Sequence, residues 1–206
     1  MLYIRNLTEK SFTDFLKKFI VSGIIKDDKL YCPVMVEIVR FNIPEWYPKK
    51  IIDSYLSDNY RTDGHPYTYQ ERIDKNINFL IKQLKNGNFR RAFIPIFYPD
   101  DIRNNPDKLP CLTSLFISYE NCKYYLNAVF RSQDLLLGFP ANVLLLLKYK
   151  EIISKETGED IYKLRVISPN MHIYYRRDKD LLKLILSEEF EHYWNVWIKP
   201  LEYRQI

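Results

Sequence analysis

The sequence predicts a fold that combines helices with β-strands, and three observations lead to this prediction. Apolar residues recur at helical spacing in two segments, Phe12 to Ile20 and Ile73 to Leu84. Two runs rich in β-forming residues, Leu112 to Tyr119 and Tyr124 to Arg131, flank a short polar turn and are typical of a hairpin. A nearly apolar helix, Ala141 to Lys155, is expected to be buried at the centre and to end at Gly158.

The boundaries of the first elements are marked by capping and turn residues. Thr8 is the predicted N-cap of the first helix, and Gly23 is placed to end it. Leu30 to Phe41 is rich in β-forming residues and predicts a strand. Gly87 ends the second amphipathic helix, and the apolar run Ala92 to Tyr98 predicts the next strand.

Three more segments complete the expected order of elements. Asp100 to Lys108 is polar and predicts a loop. Ile161 to Tyr175 predicts a long strand, on which His172 and Tyr174 share a face because side chains alternate. Asp178 is the expected cap of a helix that contains Leu181, Leu182, Ile185 and Leu186.

Composition predicts one folded domain, residues 1–206, that binds neither nucleic acid nor membrane. Apolar residues make up 47% and aromatic residues 16% of the 206, which excludes an intrinsically disordered chain. The net charge of +5 comes from dispersed lysines and arginines, so it favours a phosphate ligand but not a nucleic-acid surface. The longest apolar segment, Leu135 to Leu147, is interrupted by glycine, proline and asparagine and is too short to span a bilayer.

The three cysteines point to a reducing compartment. Cys32, Cys111 and Cys122 form no CxxC pair and no metal-ligand spacing with histidine. The N-terminus has no apolar core of the signal-peptide type. We therefore expect a cytoplasmic protein without a metal.

The residues that can carry chemistry occur in four short motifs. Arg131-Ser132-x-Asp134 is followed by a Gly-Phe-Pro turn and Asn142, and Pro110-Cys111 lies upstream. The pair Arg90-Arg91 comes earlier still, and His172-x-Tyr174 comes later. Together these motifs supply three cations, a thiol, an amide and an imidazole–phenol pair. Such a set suits an anionic nucleotide that is attacked by sulfur.

The order and spacing of these motifs resemble the thymidylate synthase family, over roughly residues 65 to 185. Each motif alone is weak evidence, whereas their ordered occurrence is specific. The resemblance implies an α/β fold with a large mixed β-sheet flanked by helices, and a sheet face that forms a homodimer interface. It also implies reductive methylation of dUMP to dTMP by a reduced methylene-pterin, either methylene-tetrahydrofolate or a methanopterin analogue. In its short length the chain resembles the archaeal-type branch of the family.

The resemblance assigns the nucleophile and the phosphate ligands. Cys111 attacks C6 of the pyrimidine as a thiolate, and Arg131 activates the thiol and binds the phosphate. Ser132 binds the same phosphate, and Arg90 and Arg91 reach it across the dimer interface.

The remaining assignments concern the base, the sugar and the pterin. The amide of Asn142 can donate to O4 and accept from N3–H of uracil. By resemblance, His172 and Tyr174 bind the ribose 3′-hydroxyl, and Asp134 contacts the pterin. The family usually has histidine after the cysteine, whereas this chain has Leu112.

The N-terminal part of the resemblance is weaker. Arg40 lies in an Arg-Phe-Asn setting like that of a phosphate-binding arginine of the family, and Tyr69 lies in a segment like that of its active-site tyrosine. Only 28 residues separate Arg40 from Tyr69, so the family's long insertion, with its catalytic glutamate, is absent or much shortened. Three carboxylates are candidates to replace that glutamate: Glu37, Glu45 and Glu71.

Two other functions remain open at this stage. A pyrimidine nucleotide hydroxymethylase would use the same residues, with water instead of hydride quenching the exocyclic methylene. A non-catalytic nucleotide-binding homologue would keep the phosphate and base contacts, and the shortened insertion is the feature that favours it.

Overall fold

A single mixed sheet of eight strands organises the described part of the chain. The computed structural model describes residues 1–56, 66–104 and 106–202. The strands are β1 (Leu2–Ile4), β2 (Ile24–Lys26), β3 (Lys29–Ile38), β4 (Phe93–Pro95), β5 (Leu112–Glu120), β6 (Lys123–Phe130), β7 (Gln133–Asp134) and β8 (Ile161–Ile173). Their order in the sheet is β1-β3-β8-β6-β5-β4, with β2 paired to β3 and β7 paired to β8.

The sheet is mixed because its central strand has neighbours of both directions. Strand β8 runs antiparallel to β3 but parallel to β6 and β7, and β1 runs parallel to β3. Strands β4, β5 and β6 pair antiparallel in succession. The large mixed sheet that the family resemblance implied is therefore confirmed.

The helices flank this sheet and extend to the C-terminal end of the described chain. They are α1 (Phe12–Ser22), α2 (Lys49–Leu56), α3 (Tyr69–Lys85), α4 (Pro99–Asn104), α5 (Phe139–Thr157), α6 (Lys179–Leu186), α7 (Phe190–Tyr193) and α8 (Lys199–Glu202). Short 3-10 turns lie at Phe89–Arg91, Pro106–Lys108 and Ser187–Glu189, and a π-helical turn at Trp194–Ile198. None of the described helices is long and apolar enough to cross a membrane.

One face of the sheet carries the hydrophobic core. Val34, Val36 and Ile38 of β3 are fully buried in a cluster that includes the apolar faces of α1, α3 and α5. Side chains alternate along a strand, so the intervening positions point to the opposite face. Four apolar side chains on this opposite face are only half-buried and lie outside the core cluster: Met35, Phe116, Val129 and Ile167. The described helices thus leave this second face uncovered.

Local sequence signals set several element boundaries. Helix α3 begins with a capping box, in which the Thr68 hydroxyl accepts from the Glu71 N–H and the Glu71 carboxylate accepts from the Thr68 N–H. Helix α5 ends at Gly158, whose φ of +75° is the left-handed conformation that glycine adopts without strain. The prediction of Thr8 as the first N-cap was wrong. Ser11 occupies that position, and its backbone N–H donates to the Thr8 hydroxyl within the preceding turn.

Two segments before Cys111 differ from the predicted elements. The predicted strand Ala92 to Tyr98 is shorter in the structure and corresponds to β4. On its N-terminal side, residues 89–91 form a 3-10 turn. On its C-terminal side, the N–H groups of Ile96 and Phe97 both donate to the Thr113 carbonyl, which interrupts the regular pairing of the strand. The predicted loop Asp100 to Lys108 contains α4, which has proline at its first position. Polar composition alone did not reveal that the Asp101 carboxylate would accept from the Tyr98 N–H and begin a helical turn there.

Candidate active site

The hydroxyl of Tyr69 is bound to the loop that carries Cys111. Tyr69 is the first residue of α3, and its hydroxyl oxygen accepts from the backbone N–H groups of Cys111 at 3.0 Å and Leu112 at 3.2 Å. The phenol proton is then available to donate toward the Cys111 sulfur, an interaction that lowers the pKa of the thiol. One half-buried tyrosine therefore fixes the backbone of the cysteine and favours its thiolate.

Arg131 holds the same loop from the end of β6. Its Nε donates to the carbonyl oxygen of Pro110 at 3.0 Å, and its Nη2 donates to that of Leu109 at 2.8 Å. Its backbone N–H donates to the Cys111 carbonyl at 2.8 Å. These side-chain bonds use two of the five N–H donors of a guanidinium, and the side chain is exposed. Arg131 can therefore hold the loop and bind an anion from solvent at the same time.

Burial raises the pKa of the Cys111 thiol above its usual value. The Arg131 guanidinium and the hydrogen bond from Tyr69 both lower this pKa, but burial outweighs them. Arg131 thus favours the thiolate, as expected, without determining the net shift. The pKa of Tyr69 is also raised, chiefly by burial, so its hydroxyl keeps the proton that it donates to the sulfur.

Ser132, just before β7, lies beside His172, near the C-terminal end of β8. The Ser132 hydroxyl is 3.3 Å from Nδ1 of His172, and the same nitrogen is 3.1 Å from the Asn170 carbonyl oxygen. Burial lowers the pKa of His172, so the ring is neutral at physiological pH. A carbonyl can only accept, which places the proton on Nδ1 and leaves Nε2 as an acceptor. The Tyr174 ring meets the imidazole edge-on at 5.0 Å between centroids.

Asp134 lies on β7, beside His172, and organises the turn that follows. Its Oδ1 accepts from the backbone N–H groups of Leu136 and Leu137, each at 3.0 Å. Its Oδ2 accepts from Nη2 of Arg177 at 2.6 Å. Asp134 therefore stabilises the turn. It also has a cationic partner, Arg177, that belongs to none of the four sequence motifs.

Asn142 lies one turn into α5, and Gly138 gives it room. The Asn142 side chain is buried, and its Nδ2 lies 3.9 Å from the position where a Cβ on residue 138 would stand. That same Cβ would lie 3.2 Å from the Asp134 carbonyl oxygen, which is tighter than usual. Glycine at position 138 thus allows the Asp134 turn and the Asn142 amide to lie close together.

Three of the expected phosphate ligands are not in contact with this group. Arg40 is exposed just beyond β3, and Arg90 and Arg91 are exposed on the 3-10 turn before β4. The Ala92 carbonyl accepts from the Ile117 N–H, six residues beyond Cys111 along β5. At the rise of an extended strand, Arg91 therefore lies about 20 Å along the sheet from Cys111.

The three candidate carboxylates have different surroundings. Glu37 is buried on the second sheet face and pairs with Lys163 and Arg165, which hold its pKa below the usual value despite burial. Glu71 belongs to the capping box of α3. Glu45 is exposed on the turn before α2, and Tyr47 of this turn donates to the Leu137 carbonyl at 2.5 Å. Of the three, only Glu45 lies on a segment that is bonded to the Asp134 turn.

Sequence reasoning missed Tyr67 as a residue of this site. Its hydroxyl donates to the Lys108 carbonyl at 3.3 Å, and Arg72 stacks on its ring at 3.9 Å. Burial raises the pKa of Tyr67 to about 12. Arg72 itself forms a buried bidentate ion pair with Asp101, with both nitrogen–oxygen distances at 2.6 Å. The Tyr-x-Tyr spacing was the available signal, since both rings of that motif reach the cysteine loop.

The described residues contain no cluster of three or more His, Cys, Asp or Glu side chains that could hold a metal ion. The arrangement instead combines a thiol, a tyrosine, an arginine and an amide. These groups can bind an anionic pyrimidine nucleotide and add sulfur to its ring.

Comparison with known sequences gives one consistent family. The family model described as thymidylate synthase matches residues 42–205. A Methanocaldococcus jannaschii protein provisionally named a thymidylate synthase is 29% identical over 170 residues, which cover 74% of this chain and 77% of that protein. Thymidylate synthase 1 of Bacillus subtilis is 28% identical over 155 residues, covering 68% of this chain. The match spans 53% of the length of that Bacillus protein, or about half.

Solved structures support the same fold. The thermostable thymidylate synthase A from Bacillus subtilis aligns with a TM-score of 0.59 at 18% identity, covering 87% of this chain and 84% of that one. The thymidylate synthase from T4 phage aligns with a TM-score of 0.57 at 14% identity, covering 85% and 80%. At these identities the likeness concerns the arrangement of the sheet and helices.

Proposed function

Because this chain belongs to the thymidylate synthase family, a family of methyltransferases, we propose that it converts dUMP to dTMP by reductive methylation. The co-substrate in this proposal is methylene-tetrahydrofolate or a methanopterin analogue. When bound, this pterin supplies both the one-carbon unit and the hydride. The observation that carries the proposal is the Cys111 loop, whose N–H groups are bound by Tyr69 and whose carbonyl oxygens are bound by Arg131.

In this proposal, Cys111 adds to C6 of the uracil ring. The thiolate forms a carbon–sulfur bond, and the electron pair of the C5–C6 double bond moves to C5, which becomes the nucleophilic carbon. Tyr69 donates to the sulfur, and Arg131 provides positive charge beside it, so both favour the reactive thiolate. A dianionic phosphate bound at Arg131 would partly neutralise this charge.

In this proposal, the other side chains of the motifs bind the rest of dUMP and the pterin. Ser132 and Arg131 bind the phosphate, and Asn142 binds O4 and N3–H of the base. Nε2 of the neutral His172 accepts from the ribose 3′-hydroxyl, and the Tyr174 hydroxyl also bonds to it. Asp134 contacts the pterin.

We also propose that two copies share their active sites. Arg90 and Arg91 lie about 20 Å along β5 from Cys111, too far to bind the same phosphate within one chain. The uncovered second sheet face, with its half-buried apolar side chains, offers a surface on which a second copy can pack. Such packing brings Arg90 and Arg91 of one copy toward the phosphate of the other.

Covalent trapping tests the nucleophile. Wild type is expected to form an adduct with 5-fluoro-dUMP in the presence of the methylene-pterin, and Cys111→Ser is expected to form none. Cys32→Ser and Cys122→Ser are matched controls that should keep the adduct. An adduct that survives in Cys111→Ser would exclude the assignment.

Turnover assays test the reaction and the dimer. Tritium release from [5-³H]dUMP shows attack at C6, and analysis of the nucleotide product separates a methyl group from the hydroxymethyl group that a hydroxymethylase would form. Mixing inactive Cys111→Ser with inactive Arg91→Gln should restore part of the activity through hybrid dimers. A fully active monomer in sedimentation would contradict the shared site.

A further inference from the structure

Asp134 is bound by an arginine that the family motifs do not include. Arg177 lies four residues beyond the end of β8, and its Nη2 donates to Oδ2 of Asp134 at 2.6 Å. The two residues are 43 positions apart in sequence, so this contact exists only in the folded protein. It joins the turn after β7 to the segment that follows His172 and Tyr174.

Arg177 is itself held in place from two directions. Its Nε and Nη2 bind the two carboxylate oxygens of Asp178 at 2.6 and 2.8 Å, and Asp178 is buried. Its guanidinium lies over the ring of Tyr174, with 4.1 Å between Cζ and the ring centroid. An arginine with a bidentate partner and an aromatic platform has little freedom to move. Its orientation therefore determines the direction from which Asp134 is bound.

A count of acceptor sites shows what this contact does to Asp134. An ionised carboxylate has about four lone-pair sites, two on each oxygen. Oδ1 accepts from the N–H groups of Leu136 and Leu137, and Oδ2 accepts from Arg177. One site, on Oδ2, is left by these three bonds. The edge of a pterin presents neighbouring N–H donors at N3 and at the 2-amino group, and one of them can use this site.

We propose that Arg177 is a positioning residue for the pterin co-substrate, because it holds Asp134 in the orientation in which one Oδ2 lone pair accepts an N–H of the pterin. This inference rests on the proposed function and concerns only its co-substrate half. The Asp134–Arg177 contact does not involve Cys111, Arg131 or Asn142. Arg177 also lies over Tyr174, a proposed ribose contact, so any change in dUMP affinity is expected to be small beside the change in the pterin KM.

The test compares the two substrates in Arg177→Gln. Steady-state turnover is measured with methylene-tetrahydrofolate and, in parallel, with methylene-tetrahydromethanopterin, and the pterin that wild type uses is carried forward. The KM for this pterin is expected to rise about tenfold or more, the usual effect of losing a hydrogen bond to a charged group. The affinity for dUMP alone, measured by calorimetry, is expected to change by a much smaller factor, because only the contact of Arg177 with the Tyr174 ring links the two sites.

Two further variants separate positioning from general effects of charge. Arg176→Gln removes the neighbouring exposed cation and is expected to leave the pterin KM unchanged. In an Asp134→Asn background, Arg177→Gln is expected to add little to the pterin KM, because Arg177 acts through Asp134. Arg177→Lys keeps one donor but loses the planar fork, so it should give an intermediate KM. It also serves as the test variant if Arg177→Gln does not fold.

Three results would overturn the inference while the proposed function stands: an unchanged pterin KM in Arg177→Gln, an equal rise in Arg176→Gln, or fully additive effects with Asp134→Asn. If wild type shows no turnover of dUMP with either pterin, the proposed function fails, and this inference fails with it.

Discussion

Tyr69→Phe isolates the function of one hydroxyl at the cysteine loop. The phenol accepts from the N–H groups of Cys111 and Leu112, and its interaction with the Cys111 sulfur lowers the pKa of the thiol. Phenylalanine keeps the ring and its packing, so only these bonds are lost. The substitution should therefore change both the stability of the protein and the pKa of the thiol.

The expected magnitudes follow from these bonds. Leaving these two N–H groups without an acceptor should lower the free energy of unfolding by about 2 kcal/mol in total. This is the low end of the usual range, because water can enter a half-buried loop and replace the lost acceptor. For a chain of this size that corresponds to a fall in melting temperature of about 4–8 °C. Loss of the bond to sulfur removes about 1.5 kcal/mol or more from the thiolate, so the pKa of Cys111 should rise by about one unit.

Two measurements check this reasoning. Thermal unfolding gives the stability change, and the rate of Cys111 alkylation by iodoacetamide as a function of pH gives the thiol pKa. At pH 7.5 the alkylation should be about tenfold slower than in wild type, because a thiol of higher pKa has less thiolate at that pH. Tyr149→Phe is the matched control, since Tyr149 donates to Asp74 at 2.5 Å and should affect stability alone. Faster alkylation in Tyr69→Phe would show that the hydroxyl restrains the loop but does not stabilise the thiolate.

Three further predictions concern the base, the buried ion pair and the missing carboxylate. Asn142→Asp should shift the binding preference from dUMP toward dCMP, because a protonated carboxyl can accept from the N4 amine and donate to N3; an unchanged ratio in calorimetry would exclude Asn142 as the base reader. Asp101→Asn should destabilise the protein by about 3–5 kcal/mol in denaturant unfolding, because it leaves the buried Arg72 charge unpaired. In wild type, Arg72 lowers the pKa of Asp101. The stability that this pair contributes is therefore fully present above the pKa of Asp101 in the unfolded chain. It is lost below about pH 4, as the pH falls through the pKa of Asp101 in the folded protein. Glu45→Gln should reduce turnover with little effect on dUMP affinity, whereas Glu71→Gln should lower only the melting temperature; equal turnover in both variants would exclude Glu45 as the proton-handling carboxylate.

Local patterns were enough to predict most elements of this fold. The β5–β6 hairpin was predicted from two β-rich runs and a polar turn, and the turn residues Asn121 and Cys122 both have the positive φ values, +50° and +61°, that such turns require. The end of α5 at Gly158 was likewise predictable from the sequence, because the glycine lies within one turn of the helix that it ends. The mixed sheet followed only from the family resemblance, since strand order depends on long-range pairing.

The site was predictable as a set of residue types but not as a set of contacts. The motifs gave Cys111, Arg131 and Asp134, whereas the partners that hold them are distant in sequence. Arg177 escaped notice because nothing near it marks a contact with a residue 43 positions away, whereas Tyr67 had only the weak signal of its Tyr-x-Tyr spacing. The shared dimer site, the single-domain assignment and the cytoplasmic location stay predictions.

The two-sided attachment of the Cys111 loop also has a consequence for how the protein matures. Tyr69 comes from α3, 42 residues before the cysteine, and Arg131 comes from the far strand of the following hairpin. Contacts at such separations form late, because the intervening chain must first be ordered. During synthesis the sulfur therefore remains an ordinary exposed thiol until α3 has docked against the completed hairpin. Recovery of its alkylation profile after dilution from denaturant would then report the docking of α3 against the hairpin, not the formation of the hairpin itself.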